Sequence, residues 1–213
     1  MTKKISIRNA FKDFLLLKLS NSRLINNDVL KVDLKNIIEK EKAEGKIKNV
    51  KIVANLPYYI TTPIIMKLLE EELELESITV MIQKEVADRL IAIPGEKNTG
   101  AITYSVYYYA SSEAIMEVPN SSFIPEPEVT SKVIKLNIRK EPIVTPRDKE
   151  KMFKIIKYAF TQKRKTLLNS LTNNGIFENK QKGTEILNSL GIKENVRPEE
   201  LTLEQFEKIS DNL

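Results

Sequence analysis

The chain has no cysteine and no histidine among its 213 residues. Without cysteine there are no disulfides and no thiolate metal sites. Without histidine, Ser-His-Asp and Cys-His catalysis are excluded, as is His-ligated zinc, and no metal site is expected. Chemistry has to come from carboxylates, lysine, tyrosine or positioning alone. Glycine is scarce. The six are Gly45, Gly95, Gly100, Gly175, Gly183 and Gly191, and no two stand at Gly-x-Gly spacing. Gly95 and Gly100 have the separation of phosphate-loop glycines. Ala101-Ile102 follows them in place of Lys-Ser/Thr, so a P-loop is excluded. Long apolar runs are missing too. Phe14-Leu15-Leu16-Leu17 stops at Lys18, far short of a membrane span. A secretory signal would need a longer apolar stretch and a small-residue cleavage site. A cytoplasmic protein without membrane contact is expected.

What is present is ordinary globular composition, 41% hydrophobic and 30% charged. The length suits one large domain, or a medium one with a small appendage. Lys and Arg total 34 against 29 Asp and Glu, a net charge of +5. That excess permits a nucleic-acid partner without requiring one. A lysine-rich solvated surface accounts for it equally well.

Patterning divides the chain. Residues 1–22 are basic and weakly patterned, an atypical N-terminal segment. From 23 to 141, strand-like and helix-like stretches alternate, which implies an α/β sheet with flanking helices. Strands are expected at Leu24-Asn26, Val50-Ala54, Ile78-Ile82, Ala101-Tyr109 and Lys132-Ile138. Helices are expected at Val32-Ala43, after a Thr62 cap with Pro63 first, and at Lys84-Ile93. Residues 142–213 read as a small all-helical domain. Thr145, Pro146 and Asp148 mark a helix start, Met152, Phe153, Ile156 and Phe160 recur at helical spacing, and Thr202 with Gln205 has capping-box spacing.

The sharpest feature is Asn55-Leu56-Pro57-Tyr58 at the end of a β-branched run. The carboxyl end of a strand is where α/β folds bind ligands. The composition suits methylation of an exocyclic amine. The Asn55 amide oxygen can accept one N–H, and a backbone carbonyl near Leu56-Pro57 the other. Pro57 stiffens the loop, and Tyr58 offers a stacking face for an extruded base. Such chemistry rests on positioning. A plain strand-to-helix turn uses the same residue types. Phe123, in Ser122-Phe123-Ile124-Pro125-Glu126-Pro127, reads either as a second stacking aromatic or as a hydrophobic plug. Gln162-Lys163-Arg164-Lys165 follows a segment with Lys151, Lys154 and Lys157 at three-residue spacing, either a phosphate-contacting stripe or a solvated face.

Taken together, several stretches resemble the small-subunit ribosomal RNA adenine N6-dimethyltransferases, a family similar to the macrolide-resistance methylases of large-subunit RNA. They are Ile25-Leu30, Val53-Pro63, Gln83-Arg89, Phe123-Val129, Phe160-Lys165 and Arg197-Leu201, in the family's order. The resemblance implies a Rossmann-like class I methyltransferase domain followed by a helical RNA-binding domain. It implies S-adenosylmethionine as donor and two adjacent adenines near the 3′ end of small-subunit RNA as substrate. The small subunit would be the partner of a monomer. It places Asp28 and Asn55 at the donor, Asn55, Leu56, Pro57, Tyr58 and Phe123 at the target base, and Lys84, Arg89, Lys163, Arg164 and Lys165 on RNA. The family's Gly-Gln-Asn-Phe-Leu opening, its Glu-x-Gly-x-Gly-x-Gly loop and its later acidic ribose ligand have no counterpart here. A truncated sheet is therefore expected, with the donor-binding segment deleted and the join near residues 19–24. A non-catalytic ribosomal RNA-binding or assembly factor is the alternative.

Overall fold

In the computed structural model, residues 4–7, 22–96, 98–162 and 164–213 are described. The chain forms two compact units, residues 1–80 and 81–213, with the division inside one strand.

In the first unit, β1 (Lys4–Ile7) and β2 (Ser22–Ile25) form a parallel two-stranded pair, with Lys4 opposite Ser22 and Ile7 opposite Ile25. The sequence gives no clear sign of β1, since four residues are too few to establish a period of two. Residues 19–21 of the expected join near residues 19–24 lie outside the described residues. A 3-10 turn at Val29–Lys31 leads into α1 (Leu34–Ala43), capped by Asp33, whose side chain accepts from the Asn36 N–H at 2.9 Å. β3 (Lys51–Asn55) follows, then a 3-10 turn at Tyr58–Ile60, then α2 (Thr61–Glu70). Ile64, Ile65, Leu68 and Leu69 form the buried face of α2. This helix starts at Thr61, ahead of the expected Thr62 cap, and no side chain caps it. Pro63 thus sits within the first turn, where its missing N–H costs nothing.

β4 (Ser77–Gln83) carries the division between the units. It is followed by α3 (Lys84–Ile91), α4 (Ala101–Tyr109), β5 (Ala110–Val118) and β6 (Ser131–Ile138). The four-stranded sheet has the order β3-β4-β6-β5, with β5 antiparallel to β6. Helices α5 (Lys149–Ala159), α6 (Leu167–Asn173), α7 (Lys180–Ser189) and α8 (Leu203–Asp211) complete the chain. The architecture is a mixed α/β Rossmann-like core followed by a helical C-terminal region. No helix of the described residues is long and apolar enough to cross a membrane.

The expected strand at Ala101–Tyr109 is a helix. Its β-branched and aromatic residues favour a strand locally, but tertiary burial decides otherwise. Thr103, Tyr104, Ser105, Val106 and Tyr108 are all buried. A helix buried nearly all round shows no amphipathic period. Gly100 opens it, donating its N–H to Thr103 Oγ1 at 3.0 Å, and that hydroxyl donates onward to the Arg89 carbonyl at 2.7 Å. Tyr104 and Tyr108 then join one hydrophobic core with Met152, Ile155, Ile156, Leu167, Leu171, Phe177, Leu187, Phe206 and Ile209.

Candidate functional site

In the first unit, β3 ends at Asn55, and the chain turns through Leu56 and Pro57 into the Tyr58–Ile60 turn. Leu56 is buried and anchors the loop, while Asn55 and Pro57 are exposed and Tyr58 is half-buried. Burying the leucine leaves its neighbours facing outward, as alternation along an extended chain requires. The Pro57 carbonyl accepts twice, from the Ile60 N–H at 3.2 Å and from Thr61 Oγ1 at 3.0 Å. Tyr59 adds a large exposed aromatic surface, 84% accessible, beside Tyr58.

Asp28 caps the Val29–Lys31 turn. Its Oδ1 accepts from the Leu30 N–H at 3.0 Å, and its own N–H donates to Asn27 Oδ1 at 2.8 Å. The carboxylate is half-buried and held in one orientation, with a second oxygen left to accept from a ligand. The amide of Asn55 and the carboxylate of Asp28 both belong to the first unit.

The remaining residues expected at the site lie in the second unit. Phe123 is half-buried at the end of a 3-10 turn, Asn120–Ser122, and its N–H donates to the Asn120 carbonyl at 3.1 Å. Ile124, next to it, is fully exposed, and the Ile124–Pro125 bond is cis. Lys84 pairs with Glu117 at 2.8 Å, and Arg89 pairs with Glu85 one helical turn away. Both side chains are 44% exposed, so a phosphate reaching them has to displace a carboxylate. Arg164 and Lys165 are exposed. Lys163 lies outside the described residues. Along α5, Lys154 and Lys157 are exposed while Met152, Ile155, Ile156 and Ala159 face the core.

Sequence reasoning missed Lys132. This lysine, only 9% exposed, is bonded to Asp88 on α3. The hydrogen bond it donates to Asp88, and that carboxylate's negative charge, hold the ammonium above its ordinary pKa, against the opposing effect of burial. A lysine in a strand of otherwise apolar inward positions was the available signal.

Known proteins resemble the chain in sequence and in fold. The model of the family described as ribosomal RNA adenine dimethylase matches residues 6–213. The Alkaliphilus oremlandii ribosomal RNA small subunit methyltransferase A is 48% identical over 193 residues, covering 91% of this chain and 66% of that protein. The Clostridioides difficile protein of the same name is 47% identical, covering 91% of this chain and 65% of its own length. The chain thus spans just under two thirds of the length of such relatives. Among solved structures, a dimethyladenosine transferase from Plasmodium falciparum superimposes with a TM-score of 0.73 at 24% identity, over 97% of this chain and 80% of that one. The 23S rRNA methyltransferase ErmE gives 0.67 at 20% identity, over 99% and 82%. At such identities the two structures speak for the fold, while the family model and the far more similar bacterial sequences carry the assignment: the chain belongs to the ribosomal RNA adenine dimethylase family.

Proposed function

We propose that the chain serves S-adenosylmethionine-dependent N6-dimethylation of adenine in small-subunit ribosomal RNA, at two adjacent adenines near the 3′ end. The observation that carries this reading is the Asn55–Tyr58 loop, with its outward amide, its buried leucine anchor and its half-buried tyrosine. Adenine N6 is a weak nucleophile because its lone pair is delocalised into the ring. Holding both N6 hydrogens lets the nitrogen leave the ring plane. Asn55 Oδ1 accepts one of them. The Pro57 carbonyl is already committed twice, so the Leu56 carbonyl is assigned the other. Tyr58 stacks on the flipped base, and Phe123 supplies the second aromatic face.

The donor, when bound, supplies an electrophilic sulfonium methyl. Asp28 suits its adenine amine, because an ordered carboxylate with an oxygen to spare is acceptor-only. Asn55 contributes at the reacting end. The chain contains no Gly-x-Gly pair to cradle the donor's remaining groups with backbone amides. We assign Asp28 and Asn55 that limited share of the contacts only, and we attribute any deficit in donor affinity to the absent glycine loop. The helices of residues 142–213, with Lys163, Arg164 and Lys165, serve as the RNA-binding domain. Lys84 and Arg89 contribute less, since carboxylates already neutralise them.

The test is methyl incorporation into under-methylated small subunits, with donor and RNA titrated separately. Donor binding is followed by calorimetry. Asp28→Ala should raise the apparent donor constant and leave RNA affinity level. Tyr58→Ala should lower turnover with donor affinity nearly intact, losing a stacking contact of about 1–3 kcal/mol. Equal effects of both substitutions on both titrations would remove the site assignment. RNA binding without donor binding or methyl incorporation would leave a non-catalytic ribosomal RNA-binding or assembly factor.

A further inference from the structure

Lys132 is the second residue of β6, and the proposed reaction has no use for it. Its ammonium is bonded to Asp88 on α3 and stands 3.5 Å from Glu117 near the end of β5. Glu117 also takes Lys84 Nζ at 2.8 Å, and the Lys84 N–H donates to the Thr130 carbonyl at 3.0 Å. Glu117 and Lys132 are register partners, and Val118 with Ser131 forms the last rung beyond them. Two cations and two anions therefore meet at the base of residues 119–130, the segment that carries Phe123.

The lysine side chain is 11% exposed, against 36% for Asp88 and 51% for Glu117. An ion pair shielded on one side gives little net stability, because desolvation offsets the attraction. What it adds is direction. A charge-assisted hydrogen bond is short and strong; the one to Asp88 ties β6 to α3, and the Glu117 ion pair brings β5 to the same point. A twelve-residue segment leaving the end of the β5–β6 ladder would otherwise pivot about its last rung. A group that stacks on a base works only when its own support is fixed.

We propose that Lys132 is a positioning residue that locks the base of the Phe123 segment and so holds the aromatic ring in one presentation. The use made of that ring rests on the reading of Phe123 given above; the locking itself does not.

The experiment uses the full chain. It has no tryptophan, so Phe123→Trp introduces a single indole at the tip of the segment. Its time-resolved anisotropy is measured without RNA, and its quenching by single-stranded oligoadenylate is then titrated. On this background Lys132→Met keeps the volume and removes the charge, Asp88→Asn weakens the partner, and Lys132→Arg restores the charge. Lys132→Met and Asp88→Asn should both increase the amplitude of fast indole motion. Each should weaken quenching by about tenfold, the scale of one lost stacking contact. The salt slope of RNA binding should stay unchanged, and Lys132→Arg should behave as the parent. Circular dichroism melting identifies any variant that fails to fold, and Asp88→Asn decides if Lys132→Met does. Unchanged indole motion in both variants overturns the proposal. So does a salt slope lower by about one unit in Lys132→Met with indole motion unchanged, which would make Lys132 a phosphate contact. If the indole is freed by Lys132→Met but never quenched by oligoadenylate, the locking stands and the stacking role of Phe123 falls.

Discussion

Tyr104 is wholly buried, yet its hydroxyl lies 2.9 Å from the Pro198 carbonyl and 2.7 Å from the Leu201 carbonyl. Its single proton donates to one of them at a time. Burial pushes this phenol well above the usual tyrosine pKa. A group whose folded pKa is raised stabilises fully below its unfolded pKa, about 10 for tyrosine. That contribution is lost as pH climbs from there toward the folded pKa, because the unfolded chain ionises first. Tyr104→Phe should therefore cost about 1–3 kcal/mol near neutrality, where buried carbonyls lose their donor. The gap to the parent should narrow above pH 10. Urea unfolding of both proteins at pH 8 and pH 10.5 checks this, and a gap that widens with pH would refute it. The same scale shows how far single residues could be read beforehand. The strand end at Asn55 was legible because a β-branched run stops there ahead of Leu56-Pro57. Tyr104 and Lys132 were not, because their partners lie 94 and 44 positions away and local sequence does not encode such pairings.

Elements with an amphipathic stripe or a local cap were readable. Thr202 and Gln205 form the reciprocal cap expected of α8, the Thr202 N–H donating to Gln205 Oε1 at 2.9 Å and the Gln205 N–H to Thr202 Oγ1 at 3.4 Å. β5 escaped notice for a physical reason. It sits at an end of the sheet order, only Ala110 on it is buried, and a register shift between Ala114 and Met116 breaks any alternation. In α7, Gly183 does what no propensity table suggests. A Cβ there would meet Leu168 Cδ1 and Phe177 Cδ2, each at 2.6 Å. The Phe177 ring is buried and cannot swing aside. Gly183→Ala gains about 1 kcal/mol of helix propensity but meets an overpacking penalty of about 1–3 kcal/mol. Net destabilisation is the expected result, read as a lower urea midpoint at unchanged slope. A higher midpoint would show that α7 can shift outward.

For the molecule as a whole, the net charge of +5 matters through where the cations stand. Arg164 and Lys165 are exposed, and α5 presents Lys154 and Lys157 outward from an apolar back. Arg164→Ala or Lys165→Ala should weaken binding across RNA sequences and lower the salt slope by about one unit each. Loss of binding to one RNA alone, with the slope intact, would assign these residues to base reading. A further consequence follows from the core around Tyr104. Tyr104 packs edge-on to Phe206 at 5.0 Å, and Tyr108 packs edge-on to Phe153 at 5.2 Å. The helical region thus borrows part of its interior from a helix encoded some forty residues upstream. A chimera between relatives spliced at residue 141 would pair one parent's tyrosines with the other parent's phenylalanine pockets. A crossover placed ahead of Gly100 would inherit the whole aromatic set from one parent, which makes that position the natural seam for recombination.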